Sequence, residues 1–203
     1  MRVRLDPRFQ RSRQSIITTV AELVDAFPIG EITITQVVEE AGVTRPTFYQ
    51  HFADIPAAVR AAALIRLASA LPKPEAAVPP EQVTAKYFRS RIIARMTPVL
   101  RHLSANKVFY LRVLESAANF SFFDEIVTML TNVMLREPLE RAARATGSSG
   151  SDVSTVIAGG MMWLTIEWLR TEPLTDVKVQ ASRIAANVLI LAGFQTVSDP
   201  RKT

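Results

Sequence analysis

The chain has no cysteine. That excludes disulfides, thiolate zinc sites and thiol redox chemistry, and makes a reducing cytoplasm the natural compartment. Histidine is scarce as well, with only His51 and His102 in 203 residues. A histidine-based metal site is therefore not expected, and neither is any cofactor. No apolar stretch follows the basic N-terminus, so no signal peptide is expected. The longest apolar runs, "VIAGGMMWLTI" at 156–166 and "IAANVLILAGF" at 184–194, fall short of the ~20 residues that span a bilayer. Both suit helices buried in protein, and no membrane partner is expected. No internal repeat is visible, and no sustained alternation of apolar and polar residues suggests a sheet.

What is present is apolar and basic. Apolar residues make up 48% of the chain, enough for a sizeable core, and the net charge is +5 with a pI near 10.0. The charge is unevenly spread. Arg2, Arg4, Arg8, Arg11 and Arg13 crowd the first thirteen residues against Asp6 alone, whereas residues 14–55 hold Arg45 against six acids. A basic N-terminal arm suits a polyanion such as nucleic acid or anionic lipid, or simply solubilises the chain.

Apolar residues recur at spacings of three and four, which predicts an all-α fold of about nine helices. Ile16, Val20, Leu23, Val24 and Phe27 form the stripe of a first helix from Pro7 to Phe27, ended by Pro28 and Gly30. Thr33-Ile34-Thr35-Gln36 fits a capping box opening a second helix that stops near Ala41. Gly42 suits the left-handed residue that closes it. Thr44 caps a third helix with Pro46 in its first turn, and Asp54 caps a fourth with Pro56 likewise placed, running to about Ala70. "LPKPEAAVPP" at 71–80 is a connector. Further helices are expected near 81–104, 106–118, 121–145, 152–171 and 175–197, bent at Pro98 and Pro138. "TGSSGSD" at 146–152 reads as a loop and "TEPLTD" at 171–176 as a tight turn. The expected division is a small N-terminal domain over 1–53, then a larger helical domain over 54–203.

"TITQVVEEAGVTRPTFYQHF", residues 33–52, breaks a helix at Gly42 and restarts it at once. A short helix, a three-residue turn and a second short helix form a helix-turn-helix, whose second helix fits a DNA major groove while the first braces it. The same pattern also describes a plain helical corner. Val37, Ala41, Val43, Phe48 and Phe52 would make its buried seam, leaving Arg45, Thr47, Tyr49, Gln50 and His51 to face outward. Arg45 can bond guanine in bidentate fashion and Gln50 can read adenine. Thr47, Tyr49 and His51 can donate to phosphate oxygens, and the helix start at Thr44–Arg45 offers free amides to a phosphate. Thr33, at the opening of the preceding helix, joins this DNA-facing set.

"ITITQVVEEAGVTRPTFYQHFAD" resembles the DNA-binding segment of TetR/AcrR-type transcriptional regulators, specifically over residues 6–60. "DPRFQRSRQSIITTVAELV" is similar to the first helix of a common subgroup, and "AGGMMWLTIEWLRTEPLT" resembles the family's penultimate helix and following turn. The resemblance implies DNA contacts from Thr35, Arg45, Pro46, Thr47, Tyr49, Gln50 and His51. It implies a homodimer paired through the last two helices, a palindromic operator on double-stranded DNA, and a small-molecule effector whose binding releases that operator. The sequence departs from the family pattern at three places. Ile55 stands where a phosphate-binding lysine is common, Val38 where a small residue is preferred, and Ile34 where a polar residue often touches the backbone.

In the C-terminal half, Val156, Gly160, Trp163, Ile184, Val188 and Leu191 are candidate dimer-interface residues on two helices apolar nearly all round. Met96, His102, Phe109, Tyr110, Arg112, Trp163 and Glu167 are candidate ligand-binding residues, with Glu115 a further polar anchor. A second reading is an all-helical small-molecule-binding or interaction protein without specific DNA affinity, motivated by Ile55 and the acidic balance of residues 14–55. No acid/base pair, phosphate loop or metal spacing points to an enzyme, and no catalytic residue is expected.

Overall fold

The computed structural model describes residues 6–73, 84–116, 119–131 and 149–194. Among them it holds nine α-helices and no strand. The helices are α1 (Pro7–Ala26), α2 (Ile34–Ala41), α3 (Arg45–His51), α4 (Ile55–Ala68), α5 (Ala85–Ala105), α6 (Lys107–Glu115), α7 (Asn119–Leu130), α8 (Gly150–Arg170) and α9 (Val177–Leu191). Residues 74–80 of the expected connector at 71–80, Pro138 and residues 146–148 of the expected loop at 146–152 lie outside the described residues, whereas Gly150, Ser151 and Asp152 already belong to α8 rather than to a loop. Pro98 lies inside α5.

The helices group into two compact units, but not at residue 53. The first unit comprises α1 to α4, α6 and the start of α7, and the second comprises α5, the rest of α7, α8 and α9. The reason lies in α4 and α6, which both pack against α1. Ala58, Val59 and Ala62 on α4, Phe109 and Val113 on α6, and the α1 stripe of Ile16, Ile17, Val20, Leu23 and Val24 are all buried.

The first four helices, α1 to α4, are each held at the start by a side-chain cap. The Asp6 carboxylate accepts from the Arg8 N–H at 2.9 Å, the Thr33 hydroxyl from Gln36 at 3.2 Å, the Thr44 hydroxyl from Thr47 at 3.3 Å and the Asp54 carboxylate from Ala57 at 2.7 Å. A cap of this kind stabilises a helix by about 1 kcal/mol, which matters most for helices as short as α2 and α3. Gly42 takes φ 64°, and the Val43 N–H reaches back to the Val38 carbonyl at 3.0 Å, so α2 ends in a left-handed turn. Ile55, the departure from the family pattern, is buried at the first position of α4.

The C-terminal end of α1 is tied from two sides. Arg112 on α6 donates to the Val24 carbonyl at 2.6 Å and the Asp25 carbonyl at 2.9 Å. These are carbonyls the helix itself leaves unpaired. Arg66 on α4 pairs with the Asp25 carboxylate at 2.9 Å, and its guanidinium lies 4.4 Å from the centre of the Phe109 ring. The Tyr110 phenol next to it is pushed well above its ordinary range by burial, against the opposing pull of the Arg66 charge.

In the second unit α5 packs along α9, and α8 joins both. Phe88, Ile92, Met96, Val99, Leu100 and Leu103 form the inner face of α5, and Ala181, Ile184, Ala185 and Val188 that of α9. Gln180, buried on α9, donates to the Leu164 carbonyl at 2.9 Å. Trp168 donates from its indole to the Thr175 carbonyl at 2.9 Å, closing the expected turn at 171–176. Gly193 at φ 74° ends α9, and the Phe194 ring then settles 5.4 Å from Phe88.

Candidate nucleic-acid interface

α3 is seven residues long, too short to be stable by itself. It is held by two aromatic anchors. Phe48 is fully buried and Phe52 nearly so, with their ring centroids 6.0 Å apart. Such anchoring fixes the helix rotation and decides which residues face out. Arg45, Pro46, Tyr49 and Gln50 are exposed, and Tyr49 leaves 54% of its surface to solvent. The Tyr49 ring meets Phe48 edge-on at 5.7 Å, which braces an otherwise exposed side chain.

Arg45 at the start of α3 donates to the Thr35 hydroxyl on α2. This bond joins two residues expected to meet DNA and holds the guanidinium at the open edge of the motif. Thr44 and Thr47 are joined by a 2.9 Å hydroxyl–hydroxyl bond. Thr44 thus serves first as the cap of α3 and Thr33 as the cap of α2. Their outward role is limited to the exposure that capping leaves them. Thr47 is half-buried.

His51 is placed differently from the expectation. It is half-buried and turned back to α1, with Nε2 2.8 Å from the Ser12 hydroxyl and its ring tilted 55° against Phe9 at 4.1 Å between centroids. Its Nδ1 is buried without a hydrogen-bond partner. Burial, then the charge of Arg13, holds its pKa below the ordinary histidine value. His51 therefore works as a brace between α3 and α1 rather than as a free donor to phosphate.

The bracing residues on α1 were not singled out from the sequence. Ser15 donates to the Ala41 carbonyl at 2.7 Å, fastening the end of α2. Ser12 holds His51, and Thr19 is buried one turn further on. Ser12, Ser15 and Thr19 lie at spacings of three and four beside the apolar stripe, a small polar row that could have marked the face turned to the motif. Of the five N-terminal arginines, Arg8, Arg11 and Arg13 belong to the first two turns of α1 rather than to a tail, and Arg2 and Arg4 lie outside the described residues. Arg8 and Arg11 are exposed, while the Arg13 guanidinium lies 5.6 Å from the Phe52 ring centre.

The other candidate residues separate. Phe109, Tyr110 and Arg112 sit on α6 in the first unit, and the two aromatics are part of its core. Met96 and His102 are on α5, the first buried and the second half-buried, whereas Trp163 and Glu167 on α8 are exposed. The candidates for one ligand site therefore do not come from one unit. Glu167 lies 3.8 Å from Arg170 on the same helix. Of the candidate interface residues, Val156, Gly160, Trp163 and Leu191 are exposed, but Ile184 and Val188 are fully buried in the core of their own unit. The outward apolar residues of α9 are instead Val179, Ile190 and Leu191.

An α-helical unit that braces a short exposed helix behind a three-residue turn is a helix-turn-helix arrangement. No family model and no curated protein matches the chain in sequence. Solved structures do match. A TetR regulator, TylP from Streptomyces fradiae, is similar at a TM-score of 0.55 and 15% identity, over 91% of this chain and 87% of that one. NalD of Pseudomonas aeruginosa, described as the secondary repressor of the MexAB-OprM multidrug efflux pump, is similar at 0.54 and 18% identity, over 89% and 96%. The fatty acid degradation regulator FadR from Bacillus halodurans follows at 0.53 and 12% identity, over 95% and 99%. The chain shares the all-helical fold of these structures. Among the described residues no helix is long and apolar enough to cross a membrane, and no cluster of three metal-ligating side chains occurs.

Proposed function

We propose that this protein is a DNA-binding transcriptional regulator, a repressor, that binds a palindromic operator as a homodimer and is released by a small-molecule effector. It acts in the cytoplasm, not as an enzyme. The observation that carries the reading is the outward set on α3. Phe48 and Phe52 turn inward and leave Arg45, Tyr49 and Gln50 exposed. Arg45 and Gln50 would read base edges, and Tyr49 and the amides at Thr44–Arg45 would take phosphates. The fold shared with TylP, NalD and FadR supports the regulator class.

The dimer would form through the exposed faces of α8 and α9. Val156, Gly160 and Trp163 lie at spacings of four and three along α8, with Val156 66% and Trp163 56% exposed. On α9, Val179, Ile190 and Leu191 are exposed. An exposed apolar row of this kind suits a protein partner, and a second copy of the same face satisfies two-fold symmetry.

The test is fluorescence anisotropy of the purified protein on DNA upstream of its own and neighbouring genes, over a range of salt. Competitor-resistant binding should weaken with salt at a slope of about −0.9 per phosphate neutralised. Arg45→Ala should relax preference at one base position by ~1–3 kcal/mol, whereas Tyr49→Phe should weaken all sequences alike. Equal, weak binding to unrelated DNA would favour the alternative of a ligand-binding protein without operator affinity. The buried Ile55, at the place of a family phosphate contact, is the observation behind that second reading.

A further inference from the structure

Helix α5 carries Lys86, Arg89, Arg91, Arg95 and Arg101 and no acid. α9, packed along it, carries Lys178 and Arg183 and again no acid. On α8 the acids are Asp152 and Glu167, both exposed. The remaining acids among the described residues of this unit, Asp124, Glu125, Glu172 and Asp176, are exposed too. The cations of α5 and α9 are exposed or half-buried with one exception. Arg95 is 4% exposed, its Nε is buried without a hydrogen-bond partner, and no ion pair to it occurs among the described residues. Ile92 and Val99, one turn to either side, and Met96 beside it are all buried.

A guanidinium cannot shed its proton to escape such a place, as a lysine could. A buried charge without a counter-charge is strongly unfavourable, so a chain that keeps one normally gives it an anion. Here neither neighbouring helix has a buried carboxylate to offer. The planar fork of arginine matches a carboxylate or phosphate group, and the flanking apolar residues match a hydrocarbon body.

We propose that Arg95 is the anion-binding group of the effector site, and that the effector is a small amphiphile with one carboxylate or phosphate head and an apolar body. This rests on the reading of the protein as ligand-responsive and names the class of that ligand.

The experiment measures thermal melting of the full-length protein with octanoate, octyl phosphate or octanol. These probes share a tail and differ in the head. One of the two anions should raise the melting temperature well beyond octanol, and the larger shift identifies the head group. Arg95→Met should weaken binding of that anion by at least about tenfold, keep the response to octanol, and melt no lower than the wild type without ligand. Equal responses to anions and octanol in the wild type, or none, would overturn the proposal. So would an Arg95→Met protein that binds the anions unchanged. A variant that is unfolded or markedly less stable would show that the charge is satisfied within the protein, and would overturn the proposal as well. Operator binding in the presence of the same anion separates this site from the regulator reading. Anion binding that leaves operator affinity unchanged supports the site and detaches the ligand from control of DNA.

Discussion

The motif around α3 and the second unit distribute their residues in opposite ways. Around α3, Phe48 and Phe52 turn inward while Arg45, Tyr49 and Gln50 face outward, and the caps, Ser15 and Ser12 hold the short helices in place. In the unit of α5, α8 and α9, a tryptophan and several aliphatic side chains face solvent, while Arg95 is buried without an ion-pair partner among the described residues. The motif around α3 is closed by its own aromatic seam and offers a polar surface to a polyanion, although its unit also leaves apolar side chains such as Val108 and Phe120 exposed elsewhere. The second unit is left unfinished by its own chain on the outside and on the inside. An exposed apolar face calls for a protein partner, and a buried cation calls for an anion. Reading would then reside in the closed motif, and association and sensing in the unfinished unit.

The largest effect is expected from emptying the core of the closed motif. Phe48→Ala removes the anchor of α3 and should lower unfolding stability by ~3–5 kcal/mol. Chemical denaturation followed by circular dichroism measures it. Because the anchor sets the rotation of α3, the variant should also lose operator binding at temperatures where it is still folded. A loss near zero would mean that α3 is not held by its aromatic seam.

On the unfinished side the matching change is Trp163→Glu. The side chain is more than half exposed, so the fold of the single chain should survive with unchanged helix content. Self-association should weaken by about 2 kcal/mol or more, the usual loss for a central aromatic at an interface. Sedimentation equilibrium reads this directly. If the wild type is already monomeric, or if the variant associates as tightly, the α8–α9 face serves some other partner.

Much of this contrast is legible in the sequence, but unevenly. Thr33, Gly42, Thr44 and Asp54 carry their structural roles in their chemistry, so the boundaries of α2, α3 and α4 can be read locally. The outward positions of Arg45, Tyr49 and Gln50 follow from helical periodicity with Phe48 and Phe52 as anchors. His51 escapes such a reading because its orientation depends on Ser12 and Phe9, 39 and 42 positions away, and no local pattern carries that pairing. Ile184 and Val188 look like interface residues in the sequence because a helix apolar nearly all round has no readable inner face. Only packing against α5 chooses it. A boundary at residue 53 departs from the packing for a similar reason, since α6 returns to α1 through Arg112 across nearly ninety residues of chain.

A gentler probe of the same outer face is Gly160→Ala. A Cβ added at Gly160 meets nothing within 4 Å in the single chain. The helix should therefore gain up to about 1 kcal/mol from the better helix former. If another chain approaches closely there, the added methyl should instead loosen self-association. A more stable chain with weaker association is the expected pair of outcomes, measured by melting at low concentration and by sedimentation. Gain in both would mean that no backbone comes close at Gly160.

The smallest expected effect belongs to His51 and tests whether the motif is as closed as it looks. The neutral ring uses Nε2 toward Ser12, and Nδ1 has no acceptor in reach. Protonation would add a second N–H with nothing to receive it, beside the charge of Arg13. The folded-state pKa is accordingly held below the ordinary value near 6.5. The unfolded chain then binds the proton first as pH falls, so stability rises with pH across that window. The contribution is fully present above the ordinary value and is lost as pH drops through the folded pKa. A melting series from about pH 7.5 down to about pH 5 should show a decline that His51→Asn flattens. Other titrating groups will add their own slopes, so the difference between the two proteins is the quantity to read. A pH-independent difference would mean that the ring tolerates its proton, and that Ser12 and Phe9 grip α3 through shape alone.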